Sequence, residues 1–315
     1  MILQTQLDIK PLEHTIIYGD GVLFLGSCFA DEVGSICQGL GFNAQVNPFG
    51  VLFNPASIAQ SVERLDSGKP FVLDDVVSVG VDCFCTFSHN TKFWHVSDVE
   101  LLNDINGELK RYGDFFAAAK WVVVSLGTSW VYRHKKSGQI VSNCHKLPSL
   151  QFEREFMTVE ESVACLSNMV SKYPDKHFVF TVSPLRHLKD GLHENQLSKS
   201  ALLLAVDAIC KRFPNAYYFP AYEILNDELR DYRFYKEDMV HPTEQAVRNI
   251  WERFVEFAIN PSEIPTMNKS LEMKRMMHHK PMFPESEAYR KFDALRCKKL
   301  SELRECYPLV RVENL

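Results

Sequence analysis

Four short apolar runs constrain this chain most: Val22–Leu25, Trp121–Leu126, Phe178–Val182 and Ala216–Phe219. Each is too short for a buried helix, and each leaves directly into Gly, Pro or polar punctuation, which is the pattern of strands buried on both faces. A fifth, weaker candidate lies around Asn43–Val46. Helical patterns separate them. Thr158-Val159-Glu160-Glu161 reads as a capping box opening a helix through Val170, with Val163, Leu166, Met169 and Val170 on one face. A second helix is expected from about Ser198 to Arg212. A third is expected to open at Pro242, whose fixed φ suits a first turn, with Ala246, Val247, Ile250, Trp251 and Phe254 at helical spacing. Strands alternating with helices predict an α/β protein with a parallel, helix-covered sheet.

Between about Phe71 and Ser97 the pattern changes to Val, Phe, Cys, Thr and Trp in partial alternation, predicting an inserted hairpin or flap. Pro261 and Pro265 mark a boundary between a body, residues 1–262, and a C-terminal extension, residues 263–315. Two surface helices are expected in that extension, over Asn268–His279 and Ser286–Cys306. Charge is uneven across the boundary. Eleven lysines and arginines against eight acids leave the extension at +3, so the body carries −8 of the net −5. Because acids interleave the basic residues, the extension reads as a solvated face packing back on the body rather than an anion-binding arm.

The overall acidity gives no reason to expect nucleic acid as a partner. Nine cysteines without regular disulfide spacing fit free thiols in a reducing compartment. No apolar stretch approaches the ~18–20 residues of a membrane span, and the first ten residues lack the basic and apolar regions of a secretory signal. The cytoplasm is therefore the expected compartment. The oligomeric state is not readable.

Chemistry concentrates in two places. Ser27 follows the first apolar run through Gly26, which permits a sharp strand exit. In doubly wound sheets ligands gather at the carboxyl ends of strands. A helix starting at Ser27 would aim its free N–H groups at the same spot. Taken alone, Ser27 reads first as a plain helix cap. Far downstream, Asp238 and His241 stand three residues apart before the last helix of the body. A hydroxyl, an imidazole to take its proton and a carboxylate to hold the imidazole are the parts of serine catalysis. Cys28 is the rival nucleophile, though consecutive side chains at such an exit point in different directions. Cys83/Cys85, Cys144-His145 and His278-His279 lack the spacing of familiar zinc sites, so no metal is expected. His89 and Trp94 on the predicted flap, and Arg186 and His187 beyond the third clear strand, are candidate substrate contacts. Aromatic packing and a structural ion pair are their respective alternatives.

The stretch Gly26-Ser27-Cys28-Phe29-Ala30 spells the signature of the GSCFA family. Further blocks resemble that family: Asn47-Pro48-Phe49-Gly50, Leu126–Tyr132, Asn143–Lys146, Thr181–His187 and Arg230–Tyr235. The family in turn resembles a branch of the SGNH (GDSL-type) hydrolase superfamily. That resemblance implies a three-layer α/β/α domain with a mostly parallel sheet. It implies Ser27 as nucleophile, His241 as base and Asp238 as orienter. It also implies an oxyanion hole from the Ser27 N–H, a glycine N–H matched here by Gly50, and an asparagine near Gly127. The asparagine is missing in place, since the chain reads Gly127-Thr128-Ser129-Trp130. Thr128, Ser129 and Asn143 are the candidate substitutes.

The expected function is a serine esterase acting on small O-acyl esters, such as O-acetyl groups on carbohydrate or lipid, through an acyl-enzyme. The alternatives are an O-acyltransferase acting on carbohydrate and a non-catalytic carbohydrate-binding protein on the same scaffold. No cofactor is implied by any of them.

Overall fold

All five apolar runs become neighbouring strands of one sheet. The structure, a computed structural model, describes residues 5–315. In chain order the elements are β1 (Val22–Gly26), α1 (Cys28–Gln38), β2 (Ala44–Val46), α2 (Pro55–Ser67), β3 (Val76–Gly80), β4 (Cys83–Thr86) and α3 (Asp98–Ala118). There follow β5 (Trp121–Leu126), β6 (Trp130–His134), β7 (Ile140–Val141), β8 (Phe152–Phe156), α4 (Val159–Ser171), β9 (His177–Val182) and α5 (Leu192–Arg212). The chain then runs through β10 (Ala216–Tyr218), a single turn α6 (Ala221–Glu223), α7 (Glu244–Ala258), α8 (Ile264–Met277) and α9 (Glu287–Cys306).

The central sheet is parallel throughout, in the order β10-β9-β5-β1-β2. Alternate residues of each strand face opposite layers, as the two-residue period requires. Val22 and Phe24 of β1, with Trp121 and Val123 of β5, bury against α1 and α7. Leu23 and Leu25, with Val122, Val124 and Leu126, bury against α2, α3, α4 and α5. The architecture is thus three layers, α/β/α, as expected. Gly34 lets α1 lie close on the sheet, because a Cβ there would sit 2.7 Å from Val46 Cγ2 and 2.9 Å from Phe24 Cγ.

The capping box forms as read: Thr158 Oγ1 accepts from Glu161 N at 3.2 Å, and Glu161 Oε2 accepts from Thr158 N at 2.8 Å. Two helix starts differ from expectation. Helix α5 begins at Leu192, six residues before Ser198. Helix α7 begins at Glu244, because Thr243 Oγ1 accepts from Ala246 N and caps it, while Pro242 instead bridges antiparallel to Tyr235. The expected flap is the two-stranded hairpin β3-β4. A second sheet, β7-β6-β8, is new. Its polar strands, Trp130–His134 and Phe152–Phe156, carry little of the apolar signal that marks the central sheet.

The extension forms its two helices, and they are more than a surface. Met273, Leu303, Val310 and Leu315 join the core on the α1/α7 side. Tyr18 Oη donates to Ser270 Oγ, and Arg311 N donates to Gly41 O, tying the extension to the body. Among the described residues no helix is long and apolar enough to cross a bilayer. Leu303 is 4% exposed. Leu303→Ala is therefore expected to destabilise the whole protein by about 2–4 kcal/mol, as buried Leu→Ala changes do, in one cooperative urea transition. A separate early transition of the extension, with the main midpoint unmoved, would contradict this shared core.

Candidate active site

The sheet order has one topological switch point, between β1, which continues to β2 on one side, and β5, which continues to β9 and β10 on the other. Strands that diverge there leave a crevice at their carboxyl ends. Gly26 and Ser125 are register partners at that point. Gly26 takes φ +127°, and a Cβ there would lie 2.1 Å from Ser125 O, so only glycine fits. Its N–H donates to Asn47 Oδ1 at 2.8 Å, and Asn47 Nδ2 donates to Asp31 Oδ1 at 2.6 Å. Asn47 thus clamps the exit of β1 to the loop after β2, in a positive-φ conformation that asparagine tolerates.

Ser27 caps α1 with its own hydroxyl: Phe29 N donates to Ser27 Oγ at 3.2 Å. The Ser27 and Ser125 hydroxyls share a hydrogen bond at 2.8 Å. The Ser27 N–H donates to Ser125 O at 3.0 Å, which commits a group expected to serve the oxyanion hole. The first amide of α1, Cys28 N–H, donates to no other residue among the described residues and lies against its own thiol. Burial, with Asp31 and Glu32 nearby, pushes the Cys28 thiol up, so it is a poor source of thiolate.

Asp238 and His241 meet through local geometry. Met239 takes φ +57°, turning the chain so that Asp238 Oδ2 lies 2.6 Å from His241 Nδ1. Asp238 Oδ1 accepts from the N–H groups of His241 and Val240, each at 2.9 Å. Those donated hydrogen bonds hold the Asp238 carboxyl down at about 2, so it stays ionised across the working range. With Nδ1 held, Nε2 is the ring nitrogen left to act. His241 and Ser27 line the same cavity, of about 450 Å³. Among the described residues no hydrogen bond joins them; the hydroxyl's partner is Ser125. Catalytic hydrogen bonds often tighten only around substrate.

Thr128, Arg186 and His187 also line this cavity. Burial, helped by the Lys199 charge, lowers His187 to about 4, so its ring is neutral near pH 7. The other expected contacts lie elsewhere. His89 is buried among Phe49, Phe71 and Phe93, its Nδ1 is 2.7 Å from Thr86 Oγ1, and burial lowers it to about 3; it is a core histidine. Trp94 is 54% exposed on the hairpin segment and does not line the cavity. Gly50 spends its N–H on Asn47 O, closing the turn that places Asn47. Ser129 is fully buried and bonded to Ser198 through both its N–H and hydroxyl, and Asn143 Oδ1 accepts from His145 N. None of these three lines the cavity.

Asn54 does line it, and sequence reasoning missed it. Its Oδ1 caps α2 by accepting from Ser57 N at 2.8 Å, which leaves the amide NH₂ without a partner among the described residues. The signal was present as Asn-Pro, a cap followed by a first-turn proline. Phe53 O accepts from both Gly127 N and Thr128 N, which brings Asn54 beside the end of β5.

The GSCFA family model matches residues 21–254, from the start of β1 to within α7. The chain belongs to the GSCFA family. A second model, the C-terminal domain of GSCFA domain proteins, matches residues 271–315. The GSCFA match therefore takes in Ser27, Asn54, Asp238 and His241, and the extension that completes the core has its own counterpart. A search among curated proteins returns no match.

Beneath the GSCFA cavity lies Lys199, wholly buried, with Nζ donating to Gly127 O at 2.6 Å and Ser183 O at 2.7 Å. These carbonyls follow β5 and β9, so the ammonium ties the two strand exits together. No carboxylate pairs with it among the described residues. Burial, with the Arg186 charge adding, pulls Lys199 down to about 7. A lysine depressed in the folded state is fully charged in the unfolded chain until well above pH 9. The unfolded state therefore binds more protons above pH 7, and this group's contribution to stability rises with pH. Comparing wild type with Lys199→Met by urea unfolding, the difference should move toward wild type by about 1–2 kcal/mol between about pH 7 and pH 8.5. A difference constant over that window would contradict the assignment.

Proposed function

We propose that the protein is a serine hydrolase of SGNH type that cleaves small O-acyl esters. One observation carries the reading: the Ser27 hydroxyl and an imidazole whose Nδ1 is held by a carboxylate at 2.6 Å line a single cavity at the sheet's switch point. His241 Nε2 takes the Ser27 proton as Oγ leaves its bond with Ser125 and attacks the acyl carbonyl. Asp238, already ionised, stabilises the resulting imidazolium. The imidazolium returns the proton to the departing alkoxide, giving the acyl-enzyme and the free alcohol. Water then attacks the acyl carbon with His241 again as base, releasing the acid and restoring Ser27.

The oxyanion donors in this reading are the Asn54 amide and Cys28 N–H, neither of which donates to another residue among the described residues. They replace the Ser27 and Gly50 amides, whose N–H groups are occupied. Asn54 thereby supplies the side-chain amide that is missing after Gly127. An O-acyl ester of modest size, on carbohydrate or lipid, fits a cavity of about 450 Å³. All nine cysteines carry free thiols, and the cytoplasm suits that state.

A fluorophosphonate probe should label wild type and not Ser27→Ala. No labelling of a folded wild type would leave a binding protein on this scaffold instead. His241→Ala should lower kcat for an acyl ester by ~10³-fold or more, since members of such a triad act as a unit. Asn54→Ser keeps an oxygen to cap α2 and removes the amide. It should lower kcat by roughly 10²–10³-fold; an unchanged kcat would remove Asn54 from the oxyanion hole.

A further inference from the structure

Two of the three basic side chains on the cavity wall, Arg186 and Lys189, have no carboxylate partner among the described residues. Arg154 is paired with Asp190 and lies over the Trp130 ring, 3.8 Å from its centroid, so that cation is neutralised. Arg186 is different. Its guanidinium donates to Gln196 Oε1 at 3.0 Å and Asn226 Oδ1 at 2.9 Å, both neutral amide oxygens. These acceptors are themselves fixed: Tyr222 Oη donates to Gln196 Oε1 and Asn226 Nδ2 donates to Tyr222 O. A guanidinium carries five N–H donors, and three of those on Arg186 are unengaged among the described residues. Lys189 repeats the pattern, with its Nζ 3.3 Å from the Tyr132 hydroxyl. Neither cation joins a carboxylate among the described residues, in a chain whose net charge is −5.

A half-buried guanidinium held by neutral partners is orientated without being neutralised. Its field is felt nearby: the Arg186 charge contributes to the depression of Lys199. Preorganised, unneutralised donors of this kind are suited to planar or tetrahedral oxyanions, with which arginine forms short charge-assisted pairs. We infer that Arg186, seconded by Lys189, binds an anionic group of the substrate, a carboxylate or a phosphate, so that the favoured esters are acids rather than neutral molecules. This rests on the hydrolase reading for the word ester, but the anion site stands on its own geometry. Arg186 and Lys189 bind and orient; they take no part in the proton transfers.

The test uses the full chain in low salt. Two matched pairs of esters separate the sources of the anion: 4-nitrophenyl butyrate against 4-nitrophenyl hemisuccinate, and monoacetylglycerol against its 3-phosphate. Calorimetry with inorganic phosphate and with acetate reads binding without chemistry. Wild type should prefer the anionic member of at least one pair by roughly tenfold or more in kcat/KM, the scale of one charge-assisted hydrogen bond. The preferred pair tells carboxylate from phosphate. Arg186→Gln should abolish that preference, and Lys189→Gln, on an exposed side chain that the fold does not need, should reduce it. Equal kcat/KM within both pairs, with neither anion bound by wild type, overturns the inference while leaving ester hydrolysis intact. If no ester turns over but phosphate or acetate binds wild type and not the variants, hydrolysis falls and the anion site stands. The wild-type comparison alone decides the matter should Arg186→Gln fail to fold.

Discussion

Everything about the site depends on one close approach of two backbones. Gly26 and Ser125 end their strands side by side, and the missing Cβ of Gly26 lets Ser125 O reach the Ser27 N–H. With the backbones so near, the two hydroxyls come within hydrogen-bond distance and the next helix starts at once. Ser27 is thereby fixed at the amino end of α1, facing the crevice that diverging strands leave open. Asn47 secures the same corner from the other side, and Lys199 secures the strand exits from below.

The two halves of the proposed triad are held by different kinds of information. Ser27 owes its place to strand pairing between segments about a hundred residues apart in sequence, so its position is a property of the assembled sheet. The Asp238–His241 pair owes its geometry to four consecutive residues and one left-handed turn at Met239. Both its side chains remain about half exposed. The serine side of the cavity is buried, whereas the imidazole side is open to water.

That division explains what could be read from the sequence. The central strands were legible because each is apolar on both faces, and the capping box and Asp-x-x-His announce themselves within four residues. The small sheet β7-β6-β8 was not legible, because Trp130-Val131-Tyr132-Arg133-His134 buries chiefly Val131 and carries no run. Pro242 misled because a threonine one residue later is the better cap. Gly50 and His89 misled because a turn glycine and a core histidine look in sequence like functional ones; only the partners of Gly50 N and of the His89 ring tell them apart. Asn54 was hidden for the opposite reason. Its capping role was ordinary, and its place on the cavity wall with Ser27 comes from long-range pairing, of Leu52 N with Gly26 O and of Phe53 O with the exit of β5.

The C-terminal segment carries a consequence for the order of assembly. Tyr18 and Ser270 are 252 residues apart along the chain yet hydrogen-bonded, and the same layer that packs α1 is closed by residues as late as Leu315. During translation the serine-bearing helix is made well before Met273, Leu303 and Val310, which complete the same layer. Until then part of the apolar layer over α1 and α7 stays open to water. Contacts of such long range are slow to form, so closing of this layer is expected to be a late step of folding.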